Sequence, residues 1–110
     1  MDLTWEALTV DARDPQGCAR WWAETLGWEL APDGIEVRPP DGRRPSLFFV
    51  PATGDKAAKN RLHLDLRAPD RAAAAEHLMA RGATRADIGQ GDDVEWIVLR
   101  DPEGNEFCLL

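Results

Sequence analysis

The chain contains no tyrosine and only two cysteines, and basic residues are scarce in it. The cysteines, Cys18 and Cys108, form no CxxC pair and no zinc-finger spacing, which excludes the common redox and metal-finger motifs. A disulfide between them is not expected in a cytoplasmic chain, so each reads first as a small buried hydrophobe. Thirteen Lys and Arg stand against twenty Asp and Glu, a net charge of −7. That balance argues against a nucleic-acid surface, which needs a basic stripe, and against binding to anionic membranes. No apolar run approaches the length of a membrane span. The opening "MDLTWEALTV" has neither a basic n-region nor a cleavage signature. These absences together predict a soluble, cytoplasmic protein.

What is present is globular in kind. One hundred and ten residues suit a single domain with a real core. A hydrophobic fraction of 44% beside 30% charged residues is not the composition of a disordered chain. Five tryptophans without any tyrosine are unusual. Trp is large and rarely fully buried, so some of the five are candidates for a pocket or an interface.

Local patterning divides the chain into alternating elements. "TWEALTVDA" reads as a strand stopped by Asp14-Pro15. "PQGCARWWAETLG" reads as a helix: Asp14 caps it, Pro15 opens it and Gly27 ends it. Its apolar face carries Cys18, Trp22, Ala23 and Leu26. The neighbours Trp21 and Trp22 point about 100° apart on a helix, so they are not expected to face one core together. The strand-like pieces "WELAP", "GIEVRP" and "PSLFFVPA" follow, separated by Asp33-Gly34 and Asp41-Gly42, both hairpin signals. "RLHLDLRA" alternates strictly and predicts a strand with Leu62, Leu64 and Leu66 packed inward. "PDRAAAAEHLMARGA" predicts a second helix, with Leu78 and Met79 in the core, His77 on the surface and Gly82 at the end. "TRADIG", "DVEWIVLRD" and "NEFCLL" predict three more strands, the last preceded by the turn "DPEGN".

The order strand–helix–strand–strand–strand therefore occurs twice. Pro15 and Pro69, and likewise Gly27 and Gly82, stand about half the chain apart, which suggests a duplicated unit. The expected class is α+β with two tandem βαβββ modules, one over about residues 1–55 and one over about 56–110. The final strand should lie inside a sheet, which accounts for its apolar character.

Three stretches in this order, "DARDPQGCARWWAETLGW", "KNRLHLDLRAPD" and "VLRDPEGNEFCLL", resemble the glyoxalase/bleomycin-resistance/extradiol-dioxygenase family, the vicinal oxygen chelate superfamily, and within it the small glyoxalase-like proteins. The resemblance covers essentially the whole chain. It implies paired modules, each curling into a half-open mixed sheet, with a ligand cleft between them. Metal-dependent members hold a divalent ion with four His, Gln or Glu side chains on the first and last strands of each module. The ion polarises a substrate that chelates it through two oxygens. Carried over residue by residue, the first position falls at Ala7 or Trp5, which cannot ligate. The fourth strand, "PSLFFVPATG", offers no acid, His or Gln. The fifth strand supplies His63, and the last supplies Cys108 where the family carries Glu.

At most His63 and Cys108 remain, so the resemblance implies no cofactor and no metal of the usual kind. A zinc ion held by Cys108 and His63 together with Asp65 or Glu106 is the alternative, and a Cys108 nucleophile activated by His63 is another. His63, Asp65 and Arg61 share one face of their strand, the face the family turns toward its ligand. A plain His63–Asp65 contact that satisfies polar groups explains the same pattern. Trp5, Phe48 or Phe49, and Trp96 are the aromatic candidates for a ligand wall, with Phe49 the one selected. Each could equally be sheet core. Lys56, Lys59 and Arg61 form the local basic cluster, suited to an anionic ligand or, more plainly, to a solvated loop. The expected ligand-contacting set is thus His63, Asp65, Arg61, Trp5, Phe49, Trp96, Glu106 and Cys108.

The function this implies is small-molecule binding without the usual divalent metal, in a homodimer. The first alternative is a lyase, isomerase or dioxygenase with an atypical His63, Asp65, Glu106 and Cys108 site. The second is a dimeric interaction module built on the tryptophans.

Overall fold

The computed structural model describes residues 1–2, 4–58, 60–86 and 95–110. The chain divides into two units, Met1–Asp55 and Lys56–Leu110. Among the described residues each contains one α-helix and one four-stranded mixed sheet, and neither sheet closes.

Strand β1 of the first unit spans Ala7–Ala12 and leads into helix α1, Pro15–Leu26. The helix starts at Pro15 because the Asp14 carboxylate accepts the otherwise orphaned Gly17 N–H, at 3.1 Å, and because the proline has no N–H to lose there. It stops at Gly27, whose φ of +66° is cheap only for a residue without a Cβ. The short strands β2, Glu29–Leu30, and β3, Glu36–Arg38, form an antiparallel pair. The Asp33 carboxylate shapes the turn between them by accepting the Ile35 and Glu36 N–H groups. A single 3-10 turn, Pro40–Gly42, then leads to β4, Ser46–Pro51. The sheet order is β1-β4-β3-β2, with β1 parallel to β4 and the other pairs antiparallel.

Register fixes the two faces of this sheet. Val10 lies opposite Phe49, Leu8 opposite Leu47, and Leu47 opposite Val37, so these apolar residues share one face. Helix α1 packs on β3 and β4, and Val37, Leu47 and Phe49 are buried. Burial of each such side chain contributes about 1.5–3 kcal/mol. Trp21 and Trp22 are both buried, contrary to the expectation from their angular separation. Their rings meet edge to face, with centroids 5.0 Å apart. The buried positions of α1, from Trp21 round to Ala23, span an arc of about 200° at about 100° per residue, wide enough for adjacent residues. Cys18 lies within that arc and is buried, as a small hydrophobe should be.

The second unit repeats the plan. Strand β5, Leu64–Leu66, precedes helix α2, Arg71–Ala80, which Asp70 caps by accepting the Ala73 N–H. Strands β6, Thr84–Arg85, β7, Ile97–Arg100, and β8, Glu106–Leu109, complete the order β5-β8-β7-β6. β8 is therefore an interior strand, parallel to β5 and antiparallel to β7. Leu99, Phe107 and Leu109 are fully buried, as is Leu78 of α2 for the most part, while Met79 is only half-buried and His77 is exposed. The turn before β8 is built by Asp101. Its buried carboxylate accepts the Glu103 and Asn105 N–H groups, each at 2.9 Å, and Gly104 takes a φ of +91°. Residues 87–89 of the expected sixth strand and 93–94 of the seventh lie outside the described residues.

β5 is shorter than the alternation in "RLHLDLRA" suggests. Leu62 precedes it and is strongly exposed rather than packed inward. The segment before β5 bends toward the start of β8, where the Asn60 side-chain amide donates to the Glu106 carbonyl and the Asn60 N–H to the Glu106 carboxylate.

Candidate functional site

The parallel register of β5 on β8 sets Asp65 opposite Cys108. Side chains alternate along a strand, so Asp65, Cys108 and Glu106 share a face, and His63 just before β5 joins them. His63 Nδ1 lies 3.0 Å from Asp65 Oδ1 and 3.8 Å from Cys108 Sγ. One ligand atom from each of the three residues falls within 4.8 Å of the other two. His63 and Asp65 are exposed, whereas Cys108 is buried in a cluster with Ala86 and Val98. Neither cysteine is in a disulfide.

Both short contacts meet the same ring nitrogen. A nucleophile relay of Cys, His and Asp needs the two imidazole nitrogens separately, one to take the thiol proton and the other held by the carboxylate. Nδ1 cannot accept from the thiol while donating to Asp65. The arrangement is thus a convergent triangle of N, O and S donors rather than a chain.

Glu106 lies on the expected face but is engaged elsewhere. Its carboxylate is buried and accepts from Lys56 Nζ at 3.0 Å and from the Asn60 N–H at 3.2 Å. Burial pushes its pKa upward. The Lys56 hydrogen bond, the Asn60 N–H and the Lys56 charge outweigh that and hold it below the ordinary glutamate value. Lys56, which also meets the Ala58 carbonyl, is therefore engaged by Glu106 although it stands in an exposed segment. Lys59 lies outside the described residues, and Arg61 is exposed in the segment before β5.

The expected aromatic wall is redistributed. Phe49 is 1% exposed and belongs to the apolar face with Val10 and Leu47, while its neighbour Phe48 lies on the opposite face. Trp5 precedes β1, is exposed, and donates its indole N–H to the Ala7 carbonyl. Trp96 directly precedes β7 and is also exposed.

A second polar cluster was not anticipated from the sequence. Glu36 of β3 is buried and accepts from Ser46 Oγ at 2.9 Å, Arg38 Nε at 3.1 Å and Arg44 Nη1 at 3.2 Å. Burial raises its pKa, and the Ser46 and Arg38 hydrogen bonds with the charges of Arg38 and Arg44 reverse the effect, leaving it lowered. The one local signal was the spacing of Glu36 and Arg38, which puts them on the same strand face.

The same face of the first sheet tests the fit of the four-ligand metal set. On β1 it presents Ala7, Thr9 and Asp11, and on β4 it presents Ser46, Phe48 and Val50. Neither strand offers His, Gln or Glu there, and the nearby Glu36 is held by Ser46 and two arginines. The first unit therefore does not supply its share of such a set.

Two units of strand, helix and three strands, each with its first and last strands paired in parallel, define the paired βαβββ class. The model of the Glyoxalase-like domain family matches residues 7–110, and the chain belongs to that family. No curated protein matches it. Solved structures share its fold at low sequence identity. A glyoxalase/bleomycin resistance protein/dioxygenase family enzyme from Burkholderia phytofirmans PsJN is 15% identical with a TM-score of 0.69, the match covering 94% of each chain. TnmS3, an antibiotic binding protein from Streptomyces sp. CB03234, is 22% identical with a TM-score of 0.59, covering 98% of this chain and 94% of its own. The oxidase ChaP-H2 is 18% identical with a TM-score of 0.60, covering 99% and 93%.

Proposed function

We propose that the chain is a small-molecule-binding protein of the glyoxalase/bleomycin-resistance type that holds its ligand without the family's four-ligand divalent metal. The observation that carries this reading is the face formed by Ala7, Thr9, Asp11, Ser46, Phe48 and Val50, which lacks the required ligands. Binding by burial needs no Lewis acid; it needs apolar surface and a few oriented polar groups. A solved neighbour described as an antibiotic binding protein supports small-molecule binding as the role. The proposed ligand contacts of the second unit are His63, Asp65, Arg61 and Trp96, Trp5 is a proposed contact of the first unit, and the proposed assembly is a cytoplasmic homodimer. Among the described residues no helix is long and apolar enough to cross a membrane.

Titration with bleomycin and with planar polycyclic antibiotics, followed by tryptophan fluorescence, tests the reading. Saturable quenching is expected, unchanged by a chelator, with the ligand recovered intact by mass spectrometry. A modified product, or binding that the chelator abolishes, would overturn it. Sedimentation at micromolar concentration checks the dimer.

An enzyme with an atypical site is the second reading, favoured by the convergence of His63, Asp65 and Cys108. It predicts that Cys108 is alkylated at neutral pH far faster than Cys18. Equal, slow labelling of both would exclude a thiolate nucleophile.

A further inference from the structure

We propose, resting on the small-molecule binding argued above, that Arg100 of β7, with Thr84 of β6 beside it, anchors an acidic group of the ligand. The ligand class is then an aromatic oxyanion: a carboxylate, sulfonate or phosphate carried on a ring system. Register places the two residues. Arg100 stands directly opposite Glu106 of β8 on one side and opposite Thr84 on the other, so the three share a face of the second sheet with Cys108 and Asp65. Residues so paired have Cβ atoms within about 5.5 Å, and a guanidinium beside a buried carboxylate ordinarily pairs with it. Here the carboxylate is already taken by Lys56 Nζ at 3.0 Å and by the Asn60 N–H at 3.2 Å. Arg100 is half-buried, and among the described residues its side chain has no hydrogen-bond or ion-pair partner.

The repeated plan shows why this arginine is left over. Thr9 precedes the Asp14 cap by the same interval as Asp65 precedes the Asp70 cap. Thr9 pairs with Phe48 and Asp65 with Cys108, and these in turn face Glu36 and Val98 across the next strand. Arg38 follows Glu36 as Arg100 follows Val98, so the two arginines hold matching positions. Arg38 is neutralised by Glu36, its Nη2 lying 3.0 Å from Oε1. The second unit has the buried Val98 in place of that glutamate, so the charge of Arg100 stays unbalanced. A chain of net charge −7 repels anions at long range, so an anionic ligand needs a local cation. A guanidinium fork matches two oxygens of a carboxylate or phosphate, and the exposed Thr84 adds a hydroxyl donor. Trp96 continues the parity of Val98 and Arg100, about 13 Å along the strand from Arg100, and offers an exposed indole to the rings. Both side chains are long, so one molecule of a few rings bridges them.

The test uses the full chain and two dyes with the same rings, anilinonaphthalene sulfonate and its uncharged counterpart phenylnaphthylamine. Fluorescence titration should show saturable binding of both, tighter for the sulfonate. A hydrogen bond to a charged group is worth about tenfold or more, so Arg100→Gln should weaken sulfonate binding about tenfold and leave the uncharged dye unchanged. Retained binding of the uncharged dye also shows that the variant is folded. Arg100→Lys, which keeps the charge without the fork, should recover part of the loss. Trp96→Ala should weaken both dyes alike. Arg85→Gln removes an equal charge from the opposite face, beside Leu99 in register, and should change neither. Sulfonate affinity equal in Arg100→Gln and the unmodified chain, an equal loss of both dyes in Arg100→Gln, or the same sulfonate loss in Arg85→Gln would each overturn the anion site while small-molecule binding stands. Failure of the unmodified chain to bind either dye would overturn both.

Discussion

The buried carboxylate of Glu36 offers a sharp test of how the first unit is held together. Its partners are one hydroxyl and two guanidinium groups, from Ser46, Arg38 and Arg44. Replacing both arginines by methionine keeps much of the apolar stem of each and removes both charges, leaving Ser46 Oγ as the remaining side-chain donor among these three. A buried charge that loses its partners ordinarily costs about 3–5 kcal/mol. The carboxylate has an escape, however, because it can take up a proton. That uptake becomes easier by about 1.4 kcal/mol for each pH unit, so the penalty can be smaller at pH 5 than at pH 7 by up to about 2.7 kcal/mol. The sign follows from the lowered pKa. In the native chain Glu36 contributes stability that is present above its unfolded pKa and lost as pH falls through its folded one. The arginine-free variant should therefore be destabilised by about 3 kcal/mol at pH 7 and by less at pH 5, the difference being at most about 2.7 kcal/mol. Each single replacement leaves one guanidinium in place and should cost about 1 kcal/mol, so the double loss should exceed the sum. Urea unfolding at the two pH values measures all of this. An equal loss at both pH values would assign the effect to packing of the arginine stems, and a loss below about 1 kcal/mol at pH 7 would mean that water reaches Glu36.

Three other outcomes follow from particular contacts. Phe49→Ala should cost about 3–5 kcal/mol by opening a cavity under α1, whereas Phe48→Ala on the other face should cost much less; the urea midpoints of the two variants make the comparison. Asp14→Ala removes the acceptor for the Gly17 N–H and should lower stability by about 1 kcal/mol. A Cβ at Gly17 would fall 2.2 Å from Asp14 Oδ2, so Gly17→Ala should displace the cap and give a comparable loss in thermal unfolding. Gly104→Ala forces a side chain onto a φ of +91° in the turn before β8, and should destabilise by more than about 1 kcal/mol in the same measurement.

Much of the fold was legible because its signals are short-range. Asp14 with Pro15, and Asp70, start helices by satisfying N–H groups within three residues of themselves. Gly27 and the Asp101 turn stop or reverse the chain through conformations that depend on one or two residues. The interior place of "EFCL" was legible from its apolar pattern. Phe49 was not, because adjacent residues of a strand face opposite ways and "LFFV" is apolar at both parities; only the register Val10 to Phe49 separates them. The burial of both Trp21 and Trp22 likewise depended on how much of α1 its surroundings cover.

The candidate site shows the same division. The sequence by itself determined that His63 and Asp65 share a strand face, that Cys108 and Glu106 share another, and that "SLFFV" brings no metal ligand, since alternation and composition are local properties. Tertiary structure decided that β5 lies parallel on β8 with Asp65 opposite Cys108. It decided also that Lys56 and Asn60 claim Glu106, and that two contacts meet at one nitrogen of His63. These depend on residues about 40–50 positions apart, and which polar group meets a buried carboxylate is settled only when the folding chain must satisfy it.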